Sequence, residues 1–128
     1  MPAPHALIID DSKTNIEVLT MMLSQQGVEF TAVQFVQHLE AVLETVEKLD
    51  VVFLDLELPN YDGFEILANL KQKPQFVNVP IVAYTVHNSE IDTARKAGFH
   101  SFLGKPLSLT KFPNQLERIL AGIPVWEV

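Results

Sequence analysis

Residues 51–63 read VVFLDLELPNYDG, and the fold turns on the fifth letter. Val51 to Leu54 are four apolar residues in succession, the pattern of a strand buried on both faces, and Asp55 ends them. Carboxylates are almost never fully buried without a partner, and an unpaired buried charge is strongly unfavourable. Asp55 therefore stands where the chain leaves the core, ahead of LPNYDG, which has the composition of a turn. Taken alone, it reads either as the first residue of that turn or as an acid set at a strand end for its chemistry.

Working outward from this strand, the chain alternates. HALIID (5–10) is a short apolar run, and DSKTNIEVLTMMLSQQG behind it carries Ile16, Leu19 and Leu23 at helical spacing before a closing Gly27. VEFTAV (28–33) alternates and is rich in β-branched residues, as strands are. Helical spacing returns over 37–49 and again, more briefly, over 62–72. PIVAYT (80–85) is a strand, SEIDTARKAG (89–98) predicts a helix capped by Ser89 and stopped by Gly98, and HSFLG (100–104) is a last short strand. The final helix covers about 110–121, with Thr110 as cap and Pro113 in the first turn, where its missing N–H costs little.

Strands alternating with helices imply an α/β protein with a doubly wound, five-stranded parallel sheet covered on both faces. In such sheets the ligand crevice lies at the carboxyl ends of the strands. Asp10 and Asp11 end strand one, Asp55 ends strand three, Thr85 ends strand four, and strand five runs into Lys105. These ends converge although they are far apart in sequence. Singly they are uninformative: Asp10 and Asp11 read as helix caps, Thr85 and Lys105 as loop chemistry. Together they make three carboxylates, a hydroxyl and an ammonium at one edge. Mutual repulsion within such a trio is relieved by a hard divalent cation, and carboxylate, carbonyl and water oxygens suit Mg²⁺.

Composition narrows the classes. At 128 residues, 48% hydrophobic and 20% charged, the chain is sized for a single domain with an ordinary core. It has no cysteine, which excludes disulfides and thiolate metal sites and fits a reducing compartment. No stretch approaches the roughly 20 apolar residues that cross a bilayer, and the N-terminus lacks the pattern of a secretory signal. A net charge of −7, with no cluster of Lys or Arg, disfavours direct nucleic-acid binding. A cytoplasmic domain is expected.

Across its whole length the sequence resembles the receiver domain of two-component response regulators, in the CheY-like superfamily. The resemblance rests on Asp10–Asp11, VVFLDLELPNYDG around Asp55, PIVAYT ending in Thr85, FLGKP with Lys105 and Pro106, and Phe102 three residues before the lysine. It implies a flavodoxin-like (βα)5 fold with strand order 2-1-3-4-5 and a cis peptide at Lys105–Pro106. It implies phosphorylation of Asp55 by a sensor histidine kinase or phosphotransfer protein, with Mg²⁺ held by Asp10, Asp11, Asp55 and the backbone carbonyl of Glu57. Lys105 and Thr85 would then contact the phosphoryl group, and Phe102 would follow Thr85 as a switch. The chain would be no enzyme in the ordinary sense but a phosphoacceptor that takes part in its own phosphotransfer and autodephosphorylation. A single receiver over 1–128, without an output domain, would act on an unknown effector protein by contact.

Rival readings fit less well. A flavin carrier of this fold needs a Ser/Thr/Gly-rich first loop, and DDSKTN would repel a phosphate. An aspartyl phosphatase carries its DxD motif after the first strand, and a nucleotide site needs clustered glycines that five scattered ones do not supply. The stronger alternative is a receiver-like interaction module that no longer depends on phosphate. One position departs from the family: Val86 follows Thr85 where Ala or Gly is usual. With His87 and Glu57 nearby, it either narrows access to Asp55 or points into the core.

Overall fold

The computed structural model describes residues 3–127; of the expected 1–128 domain, residues 1, 2 and 128 lie outside them. The elements run β1 (His5–Ile9), α1 (Lys13–Gln25), β2 (Glu29–Val33), α2 (Leu39–Leu43), β3 (Val51–Asp55), α3 (Gly63–Lys71), β4 (Ile81–Thr85), α4 (Ile91–Ala97), β5 (Ser101–Gly104), α5 (Phe112–Leu120) and β6 (Trp126–Glu127). The strands form one sheet in the order β2-β1-β3-β4-β5-β6, and all pairs are parallel. This is the flavodoxin-like arrangement with a short sixth strand added at one edge.

Side chains alternate across a strand, and the alternation builds two cores. Leu7, Ile9, Val52, Leu54, Ala83 and Phe102 face α2, α3 and α4. Ala6, Ile8, Val51, Phe53, Val82, Tyr84 and Leu103 face α1 and α5. All five residues of β3 are buried, as a central parallel strand requires. Register then sets the edge: Ile9 lies beside Leu54, Asp55 beside Tyr84, and Thr85 beside Gly104. Gly63 lets α3 start close behind this edge, because an added Cβ would lie 2.9 Å from Leu56 Cδ2 and 3.3 Å from the Asp55 carbonyl oxygen.

Several local expectations are corrected. The helix expected over 37–49 is a 3₁₀ turn at Val36–His38 followed by α2, which ends at Leu43. Thr45 turns its hydroxyl back to the Val42 carbonyl at 2.7 Å, a competing bond that weakens a helix end. The chain must then drop to the foot of the sheet, where Asp50 accepts the His5 N–H at 2.8 Å. Ser89 does not cap α4, since a 3₁₀ turn at Asn88–Glu90 precedes it. Gly98 stops that helix with φ +104°, a left-handed conformation that costs glycine little. Thr110 is not the α5 cap either: Ser108 Oγ accepts the Lys111 N–H at 3.2 Å, and Pro113 sits in the first turn.

Candidate functional site

The carboxyl edge of the sheet brings Asp10, Asp55, Thr85 and Lys105 together. Asp10 is 0% exposed and Asp55 2%. Asp55 continues the α1/α5-facing row of Val51 and Phe53, and Lys105 likewise follows Leu103. Lys105 Nζ reaches Asp55 Oδ1 at 3.1 Å and Asp10 Oδ2 at 3.5 Å. The Lys105–Pro106 peptide is cis. Asp55 Oδ1 also accepts the Glu57 N–H at 3.0 Å. Asp10 is held on both oxygens, by Ser12 N–H on Oδ1 at 2.8 Å and by Tyr84 O–H on Oδ2 at 2.6 Å. So Asp10 is no helix cap; Ser12 caps α1 by accepting the Asn15 N–H. Asp11 is exposed beside them.

Negative charge exceeds positive here. Lys105 is the ammonium that faces Asp10, Asp55 and, at 3.9 Å, Glu57. Burial pushes the Asp55 carboxyl up to about 6, and the Asp10 charge adds to this, while the Glu57 N–H and Lys105 oppose it. Burial, then the charge of Asp10, also raises the Tyr84 hydroxyl, so it stays a hydrogen-bond donor. Asp10, Asp11 and Asp55 each offer one carboxylate oxygen within 4.8 Å of the others. Three converging hard oxygens suit a small divalent cation.

Two side chains of the candidate site escape a reading of the sequence. Tyr84 lies under Lys105, whose Nζ is 4.4 Å from the ring centroid, and anchors Asp10 from below. Strand alternation carries the signal for it, since Tyr84 points the same way as Val82 and Asp55. Glu57 was expected to act through its carbonyl and, beside Val86, as bulk at the crevice, yet its side chain accepts from Thr85 Oγ1 at 2.8 Å and from the Val86 N–H at 3.0 Å. It sits in a loop, where no periodicity predicts direction. Val86 is 54% exposed, so it lines the crevice mouth rather than the core. With Asn15, Val18, Glu57, Lys105 and Leu107 it borders a cavity of about 270 Å³. Phe102 is fully buried among the α2/α3/α4-facing residues.

A family model for the response regulator receiver domain matches residues 6–117, and the chain belongs to that family. Its relatives include a two-component response regulator of rice (Oryza sativa subsp. japonica), ORR13, 26% identical over 121 residues that cover 93% of this chain and 100% of that protein. The chemotaxis protein CheY1 of Helicobacter pylori is 29% identical over 122 residues, covering 89% of this chain and 94% of its own. The solved structure of the chemotaxis response regulator CheY4 of Vibrio cholerae shares the fold, with a TM-score of 0.81, 22% identity and coverage of 92% of this chain and 99% of that one.

Proposed function

We propose that this receiver domain accepts a phosphoryl group on Asp55 from the phosphohistidine of a sensor histidine kinase or phosphotransfer protein, and signals by contacts that depend on it. One observation carries the reading: a buried carboxylate, bonded to Lys105 and a backbone N–H through Oδ1, lies among Asp10 and Asp11 at the open edge of the sheet. Oδ2, which takes no hydrogen bond from the described residues, is the attacking atom. It bonds to phosphorus, the P–N bond breaks, and the imidazole nitrogen keeps the bonding pair. A carboxyl with a pKa of about 6 is ionised for this at neutral pH.

Asp10, Asp11, Asp55 and the Glu57 carbonyl would hold Mg²⁺, which supplies the positive charge that an incoming phosphoryl group needs in an acidic site. Tyr84 and Ser12 fix Asp10 for that role. Lys105 pairs with a phosphoryl oxygen, Thr85 turns to donate to another, and Phe102 follows it. Val86 narrows the approach for small donors. The effector is a protein, reached in the cytoplasm.

A second reading draws on Phe102 as a permanent core residue, since it is fully buried; it makes the domain a contact module indifferent to phosphate. Incubation with acetyl phosphate and Mg²⁺, read by intact mass, separates the two. The proposal expects one added phosphoryl group in wild type and none in Asp55→Asn; equal labelling of both, or of neither, overturns it.

A further inference from the structure

We propose that the Glu57 carboxylate is an internal occupant of the donor set that the phosphoryl group must take, and so a positioning residue that gates phosphorylation; this rests on Asp55 being the acceptor. The geometry points to it directly. Glu57 Oε1 accepts from the Thr85 hydroxyl at 2.8 Å and the Val86 N–H at 3.0 Å. His87 Nε2 stands 3.4 Å from the same oxygen, and Lys105 Nζ 3.9 Å from Oε2. A hydroxyl, a backbone N–H and an ammonium converging on one anion are the groups that a phosphoryl dianion bonds. Here a carboxylate two residues from the nucleophile already holds them.

The reason is local. The Glu57 N–H folds back to Asp55 Oδ1 at 3.0 Å, and the side chain reaches across the crevice to the end of β4. Thr85 is 0% exposed and its hydroxyl is committed to Glu57; the His87 N–H in turn donates to Thr85 Oγ1 at 3.1 Å. Glu57 therefore ties down the loop that follows β4 before any phosphoryl group arrives. A phosphoryl group on Asp55 repels that carboxylate and competes for its donors. Glu57 has somewhere to go: its side chain is 28% exposed and borders the cavity of about 270 Å³ beside Val86 and Lys105. Phosphorylation then exchanges one anion for another on Thr85, Val86 N–H and Lys105, and the displaced Glu57 side chain is part of what changes at the surface.

Two variants and two readouts test this. Glu57→Ala removes both charge and acceptor, whereas Glu57→Gln removes the charge but keeps an oxygen for Thr85 and Val86. In the unphosphorylated protein, hydrogen exchange of the Val86 amide should speed up about tenfold in Glu57→Ala and stay near wild type in Glu57→Gln. Labelling by acetyl phosphate with Mg²⁺ should be faster by about tenfold in Glu57→Ala, with Glu57→Gln between. Unchanged Val86 exchange in Glu57→Ala overturns the hold on the loop. Equal labelling rates in all three proteins overturn the competition while leaving Asp55 as acceptor. Wild type that takes no label at all overturns the acceptor reading, and the competition with it.

Discussion

Asp55 is ionised against its surroundings, and that has a measurable cost. Its carboxyl titrates near 6 in the native protein, against an ordinary value of 3.8, mainly because it is buried. A group that binds its proton more tightly when folded stabilises the native state as pH falls from about 6 toward 4, and loses that contribution as pH rises. At neutral pH the ionised form costs on the order of 3 kcal/mol. Asp55→Asn should therefore be more stable than wild type at about pH 7.5 without divalent cations, by roughly 1–3 kcal/mol, with the gap closing near pH 4. Urea unfolding at both pH values checks this; a variant less stable than wild type at the higher pH contradicts it. At this scale the acids, Thr85 and Lys105 were legible, because each ends a strand at the same edge. The Tyr84 bond to Asp10 and the Glu57 hold on Thr85 were not. The first spans 74 positions in sequence, and the second depends on how a loop folds.

The element least expected is β6. A two-residue strand has no periodicity to read, and its place is set by tertiary contacts. The Phe102 N–H donates to the Val125 carbonyl at 2.7 Å, and Arg95 of α4 lies 4.7 Å over the Trp126 ring. Glu127 accepts from Gln115 at 2.8 Å and Arg118 at 3.0 Å, both on α5. This segment thus straps α4 to α5 across the outer edge of β5, beside Phe102. Trp126→Ala should lower stability by about 2 kcal/mol, less than a fully buried aromatic would, because Trp126 is only half-buried. Unfolding followed by circular dichroism measures it; no change would mean the strap adds nothing. The long strand-and-helix alternation was legible for the opposite reason, since continuous apolar runs such as Val51 to Leu54 mark buried strands and the segments between them carry helical spacing. The shortened α2 was not, because the chain's descent to the Asp50–His5 bond is a tertiary demand.

At the scale of the molecule, the site is a product of topology. Parallel strands deliver all their carboxyl ends to one edge, so residues 10, 55, 85 and 105 meet there without any local motif. The parallel sheet followed from alternation alone, whereas the strand order came from family resemblance, which no hydrophobic pattern encodes. The same convergence concentrates acid, and a cation should relieve it by binding the folded state alone. Millimolar Mg²⁺ should raise the melting temperature of wild type, and Asp11→Ala, which removes the exposed carboxylate of the acidic cluster, should lose most of that rise. An undiminished rise would put the ion elsewhere. The proposed function is narrower still: it puts the phosphoryl group on Asp55. Borohydride reduces an acyl phosphate to an alcohol, so reduction after treatment with acetyl phosphate and Mg²⁺, followed by peptide sequencing in a mass spectrometer, reads the site directly. Homoserine at position 55 and at no other acid is the predicted result; homoserine at Asp10 or Asp11, or an unmodified Asp55, would contradict it.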